Sequence, residues 1–380
     1  MIRISPDTGN TTRRTLGTAA RLLSALQLDG PLVTGLGLVC LYGFIVLYSA
    51  SGQKWDVVLR AVARLGMGGI AMVALARLRP QQLRNSAPWV YTLGIVLLAV
   101  VDVLGHISKG AQRWLDLGLF SFQPSEIMKL AVPMLCAWYL HERPLPPSPA
   151  SLGVLAAIIL VPVGLTAAQP DLGTAVLIAI AGVLLVVMAG LSIWIMAGAA
   201  LAGGLGAWLA WMYVLHDYQR QRILTFIDPS TDPQGAGYHI IQSTIAIGSG
   251  GLFGKGWMHG SQAQLAYLPE SKTDFIFAVI GEEFGLFGIC ILLALYLFVV
   301  GRALYLASQT QDTFARLLAS SLALTFFVYV FINTGMVSGL LPVVGVPLPL
   351  VSYGGTSMVT LLAGFGILMA LYSHRKLVGS

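Results

Sequence analysis

Ten apolar stretches constrain this chain more than any other feature: about 31–50, 58–77, 87–104, 124–141, 151–169, 172–190, 192–215, 275–301, 315–340 and 352–373. A helix needs about 20 mostly apolar residues to cross the hydrocarbon core of a bilayer. Inside that core every backbone N–H and C=O must be satisfied within the protein, so such stretches become helices. Composition agrees, since 56% of the 380 residues are hydrophobic and only 10% charged, against about a quarter charged in a soluble domain. The expected fold is therefore an all-α polytopic membrane protein of about ten transmembrane helices.

Ten spans put both termini on one side. That side holds twelve Lys and Arg against four Asp and Glu, whereas the opposite segments hold nine of each sign. Basic residues collect in cytoplasmic loops, so the N- and C-termini are expected in the cytoplasm. The same rule explains the net charge of +6 without invoking nucleic acid. The expected organisation is a cytoplasmic tail 1–30, a ten-helix domain 31–373 and a short cytoplasmic tail 374–380, with a large outer loop 216–274 between the seventh and eighth helices. The leucine spacing of TLGTAARLLSALQL (15–28) suits a helix on the membrane surface or an ordinary tail. The first apolar run is too long for the core of a cleavable signal peptide. Cys40, Cys136 and Cys290 lie within apolar runs without metal-ligand spacing, and are expected as small core residues.

Polar chemistry gathers on the outer side. Of only 16 acidic residues, four fall in YLPESKTDFIFAVIGEEFG (267–285). Asp274 stands just before the eighth span, where it can cap the helix or act as a general base, because partial loss of water makes a carboxylate a better proton acceptor. Glu282 and Glu283 follow by eight and nine residues, roughly 12–14 Å along a helix; interior hydrogen bonding is their expected role. Glu126 and Lys129 in FQPSEIMKL share a helix face and can pair, either at a site or to dock helices. Lys109 and Arg113 in SKGAQRW, and Arg220 and Arg222 in HDYQRQRI, can present cations to phosphate or snorkel at the interface, the first pair beside Trp114. Asp171 in QPDLGT caps the sixth span or faces the outer mouth. SYGGTS (352–357), ending at Ser357, offers backbone N–H groups before a helix. Pro342, Pro347 and Pro349 upstream point to an irregular lining around a cavity. No zinc-protease motif, nucleophile elbow or dinucleotide fingerprint is present. The residues thus favour an outward-facing site at membrane level for a lipid-linked anionic substrate.

Seven stretches carry a resemblance: SKGAQRWLDLG, FQPSEIMKLA, AAQPDLGTA, DYQRQRI, DPSTDPQGAGYHIIQSTIAIGSGGLFGKGW, YLPESKTDFIFAVIGEEFG and NTGMVSGLLPVVGVPLPLVSYGGTS. Together, from about Tyr48 to Lys376, they resemble the SEDS family of shape, elongation, division and sporulation proteins. The wording of ISKGAQRW and HDYQRQRI favours the elongation branch over the division branch. Ser271–Lys272 depart from the basic residue and histidine frequent in relatives. The resemblance implies a peptidoglycan glycosyltransferase that polymerises lipid II on the outer face of the bacterial inner membrane, beside a class B penicillin-binding protein, the transpeptidase. It implies Asp274 as the essential loop aspartate, with Glu126, Lys129, Trp114 and Asp171 as further site residues. Lys109, Arg113 and Arg220 are then candidates for the leaving pyrophosphate, with Mg²⁺ or Mn²⁺ as a further candidate and no organic cofactor. Two other readings stay open, a lipid II flippase and a non-catalytic scaffold that activates the transpeptidase.

Overall fold

The structure, a computed structural model, describes residues 26–104, 106–108, 111–116, 121–213, 236–265 and 270–373, with positions 220, 224–225, 228 and 267–268 between them. Most of the surface segment 15–28, most of HDYQRQRI and the tail 374–380 lie outside the described residues. Among the described residues, twelve helices and three short strands follow in chain order: α1 (Gly30–Ala50), α2 (Trp55–Ala76), α3 (Pro80–Leu104), β1 (His106–Ser108), β2 (Ala111–Asp116), β3 (Ser121–Phe122), α4 (Pro124–Leu140), α5 (Pro149–Ala168), α6 (Leu172–Met188), α7 (Ile193–Tyr213), α8 (Ala236–Gly250), α9 (Ser261–Gln264), α10 (Ile276–Ser308), α11 (Thr313–Val337) and α12 (Thr356–Ser373).

Among the described residues, eight helices are long and apolar enough to cross a membrane. The fourth and sixth expected spans are the 17-residue helices α4 and α6. At 1.5 Å per residue each reaches about 26 Å. Local chemistry sets these lengths. Pro124 opens α4, and the run beyond His141 is proline-rich. Asp171 caps the start of α6, and Gly190, with φ 93°, follows its end. Conversely, α3 starts at Pro80 because the polar turn QQLRNS continues the helix below the apolar run. The outer segment after α3, expected as a loop, contains the antiparallel ribbon β1–β2–β3.

Helix α2 packs along α12, α10 lies against α1, α8 and α11, and α4 is held between α3, α6 and α11. At the end where α1 starts, the bundle is stapled by a bidentate pair. Arg302 on α10 donates to both carboxylate oxygens of Asp29, at 3.0 and 2.7 Å, while Asp29 also caps α1 through Leu32 N–H. Among its described side chains, none in the spanning window of α7 is buried, and a helix apolar on every side needs lipid around it. Cys40 and Cys136 are core residues as expected, but Cys290 is exposed, because its face of α10 points away from the bundle.

Helix α10 is not continuous. At Gly285 the backbone turns to φ 63°, ψ −162°, a conformation that L side chains avoid. The break frees the carbonyls of Glu282 and Glu283, which accept from Lys255 and Gly256 N–H at 3.0 Å each; Leu286 and Phe287 N–H donate back to Gly251 and Leu252 at 3.0 Å. The glycine-rich loop after α8 therefore completes the interrupted helix. A Cβ on Gly254 would run into the Glu283 carbonyl, so close backbone approach explains the glycines there.

Candidate active site

Five distant segments meet at one end of the bundle. They enclose a cavity of about 300 Å³ whose polar lining includes Trp114, Gln123, Glu126, Lys129, Asp171 and Asp274. Its remaining wall is irregular chain: Gly345–Pro347 and then Tyr353–Ser357, leading into α12. Irregular backbone around a cavity is the arrangement foreseen from the prolines and glycines of that stretch.

Glu126 and Lys129 occupy the first two turns of α4. Pro124 at the helix start fixes their rotation, and their side chains meet at 2.7 Å with about 6% exposure each. The Lys129 ammonium also lies 5.0 Å from the Tyr329 ring centre on α11. Leaving one such charge in a membrane interior without a partner is costly, so the pair holds α4 against α11 while lining the cavity. Asp171 does two things at once. One oxygen caps α6 by accepting from Thr174 N–H at 3.3 Å, and the other accepts from the Gln123 amide at 2.7 Å. Trp114 comes from β2, where the ribbon carries it to the cavity.

Asp274 lines the same cavity and is not the cap of α10. The N-cap position is Phe275, whose side chain makes no capping hydrogen bond. Thr273 does not cap it either; its hydroxyl bonds to the Glu270 carboxylate at 2.8 Å. The peptide around Asp274 is instead strapped from outside. Lys272 C=O accepts from Tyr353 N–H at 2.8 Å, Thr273 C=O from the Ser352 hydroxyl at 2.5 Å, and Asp274 C=O from the Asn333 amide at 2.8 Å.

Glu282 and Glu283 are buried among hydrogen-bond partners, as expected for their depth. Glu282 accepts from Lys255 at 2.7 Å, from the Ser261 hydroxyl at 3.0 Å and from Gln262 N–H at 3.0 Å. Glu283 accepts from the Ser49 hydroxyl of α1 at 2.5 Å.

The sequence-derived set is thus divided. Trp114, Glu126, Lys129, Asp171, Asp274 and Ser357 line one cavity. Lys109 and the side chain of Arg113 lie outside the described residues, as does Arg222. Arg220 is not among the lining residues, and its guanidinium donates to the Met212 carbonyl near the end of α7 at 3.3 Å. Several contributors were missed: Gln123, Thr273, Ser352, Asn333 and Arg64. Arg64 on α2 stacks on Tyr353, a wall residue, at 4.3 Å. Asn333 and Arg64 had one available signal, a polar side chain within a spanning run.

Comparison with known proteins decides the family. Residues 30–377 match the model of the cell cycle protein family of FtsW, RodA and SpoVE. The chain belongs to this family. Among the family's proteins, it is 50% identical to the peptidoglycan glycosyltransferase MrdB of Escherichia coli K12 over 353 residues, covering 93% of this chain and 95% of that protein. It is 36% identical to the probable peptidoglycan glycosyltransferase FtsW of Thiomicrospira cyclica, covering 92% and 93%. A chain from a solved peptidoglycan synthase complex, described as coordinating polymerization and crosslinking, superposes with TM-score 0.80 at 34% identity, covering 92% of this chain and 98% of that one. The crystal structure of the rod shape determining protein RodA of Thermus thermophilus gives TM-score 0.70 at 29% identity, covering 92% and 97%. The higher identity to MrdB than to FtsW agrees with the elongation-branch wording of the sequence.

Proposed function

We propose that this family member is a peptidoglycan glycosyltransferase that polymerises lipid II into β-1,4 glycan strands, with Asp274 as general base. The observation that carries the reading is that Asp274 shares one cavity with Asp171 and the Glu126–Lys129 pair. The identity to MrdB supports the activity.

Asp274 takes the proton from the C4 hydroxyl of the acceptor sugar. That oxygen forms a bond to the anomeric carbon of the growing strand. The bond from that carbon to the pyrophosphate breaks on the opposite face, so an α-linked donor gives a β product, and undecaprenyl pyrophosphate leaves with the electron pair. A positioned base contributes roughly 10²–10⁴ in rate. Cations near the leaving group stabilise its developing charge; Lys129 is in the cavity, and Lys109, Arg113 and Arg220 are the outer-loop candidates. Trp114 and Ser357 bind substrate from the cavity wall.

Among the described residues no cluster of three or more His, Cys, Asp or Glu could hold a metal ion. Ions such as Mg²⁺ are commonly held by one or two carboxylates plus phosphate oxygens. Asp171 would supply the protein carboxylate for Mg²⁺ or Mn²⁺ carried on the pyrophosphate, where the ion would neutralise charge.

The charge asymmetry between the two sides supports cytoplasmic termini and a cavity on the periplasmic face of the inner membrane. The similarity to a chain of a polymerising and crosslinking complex supports a class B penicillin-binding protein as partner. The decisive experiment is strand synthesis from labelled lipid II by the purified protein with that partner. Long strands from wild type and none from a folded, partner-bound Asp274→Asn support the base. Equal strands from both overturn it, and lipid II translocation in proteoliposomes would then distinguish a flippase from a scaffold.

A further inference from the structure

We infer that Asn333 is a positioning residue for the reaction, holding the Asp274 base and the facing cavity wall in one register. The inference rests on the assignment of Asp274 as general base.

Asn333 lies four residues before the end of α11 and is completely buried. Its side-chain amide has two N–H donors, and both are used between separate segments: one donates to Asp274 C=O at 2.8 Å, the other to Val346 C=O at 2.7 Å. Both partners are acceptors, so the amide must present its nitrogen to them, which fixes the flip of the side chain. Its oxygen, Oδ1, is buried with no hydrogen-bond partner. An unpaired buried acceptor is a cost to the fold, so the donors explain this residue and the acceptor does not. Serine could supply one of the two bonds, aspartate neither.

The two tethered carbonyls belong to opposite parts of one wall. Asp274 and Val346 both line the cavity. Next to Val346, Gly345 has φ 70°, and a Cβ built on it would lie 3.5 Å from Asp274 Oδ2. The carboxylate of the base therefore rests against the very turn whose next carbonyl Asn333 holds. Ser352 and Tyr353 N–H secure the two preceding carbonyls, of Thr273 and Lys272. With three consecutive carbonyls anchored, the Cα–Cβ direction of Asp274 is set by α11 and the approach to α12 rather than by α10. A general base acts over hydrogen-bond distance, and a misplacement of about 1 Å can cost on the order of 10²-fold in rate.

The test is steady-state strand synthesis from lipid II by the detergent-purified protein in complex with its transpeptidase. Rates are expressed per folded, partner-bound molecule, with Asp274→Asn run alongside. Asn333→Asp keeps the shape and removes both donors. Its kcat is expected to fall roughly 10–100-fold with KM within about threefold, the split that marks loss of a transition-state arrangement. Asn333→Gln retains an amide and should recover a substantial part of that loss; Ser352→Ala, which removes one strap, should lower kcat by about 3–10-fold. If Asn333→Asp does not fold, Ser352→Ala still decides the question. A kcat within threefold of wild type in folded Asn333→Asp, or in Ser352→Ala where Asn333→Asp does not fold, or a rise in KM at constant kcat in that variant, overturns the inference while an inactive Asp274→Asn leaves the base in place. An active Asp274→Asn removes the base assignment, and this inference with it.

Discussion

Two groups of carboxylates, eight residues apart on the same stretch of chain, have opposite surroundings. Glu282 is fully buried, and its oxygens are taken by Lys255, Ser261 and Gln262 N–H beside the break in α10. Asp274 lies on the wall of a 300 Å³ cavity, and its main-chain carbonyl accepts from the Asn333 amide. A carboxylate enclosed by donors locks a structure. A carboxylate facing a polar cavity, with its backbone anchored by others, can exchange a proton with a ligand. Burial and charge alone would have ranked Glu282 above Asp274 as the unusual residue; what separates them is that Asp274 lines the cavity and Glu282 does not.

The comparison breaks most directly at Asp274. Asp274→Asn should lower strand synthesis by roughly 10²–10⁴ with no change in melting temperature in detergent. A mutant that melts early and keeps its rate would make Asp274 a structural residue like Glu282. Next in size, Glu282→Ala should destabilise the protein by about 3 kcal/mol, at the lower end for a broken buried ion pair, because Lys255 keeps 30% of its side chain exposed. The readout is thermal melting, and rate per folded molecule should stay within about threefold of wild type. Should that rate collapse while melting holds, the division between the two groups fails.

Smaller effects sharpen the same contrast. Gly285→Ala forces a Cβ onto a backbone with φ 63° and toward Gly254 and Leu252, and should cost about 1–3 kcal/mol of stability. It should also raise amide exchange in the loop 251–256, which pairs with the break. The Arg60–Asp56 pair, with side chains 60% and 61% exposed, is the control. Asp56→Asn should change stability by at most about 1 kcal/mol, measured by the same melting experiment.

Much of this protein was written in local sequence. Spanning helices are dictated by apolar length, because a bilayer core leaves the backbone no other partner. Family motifs marked Asp274, Trp114, Glu126, Lys129 and Asp171, and the fold gathers all five at one cavity. Helix ends were less legible: α3 and α10 run beyond their apolar cores, since polar turns continue a helix in water as readily as apolar ones do in lipid. The glycines after α8 could be read as flexible, but not as the strand of chain that completes a broken helix.

Which role each acidic residue plays was not decided locally. Before an apolar run, an aspartate is equally a cap or a base, and both readings fit the same letters. Asp171 is a cap that also lines the cavity; Asp274 lines it without occupying the N-cap position of α10. The difference is made by Gln123, Asn333 and Ser352, each distant in sequence from the aspartate segment it contacts. The sequence by itself determined a membrane bundle and the identity of its polar residues, because transfer between water and lipid acts on each segment separately. Only the tertiary structure decided which carboxylates line the cavity and which are enclosed by donors, because that depends on contacts between segments that meet only once the bundle has closed.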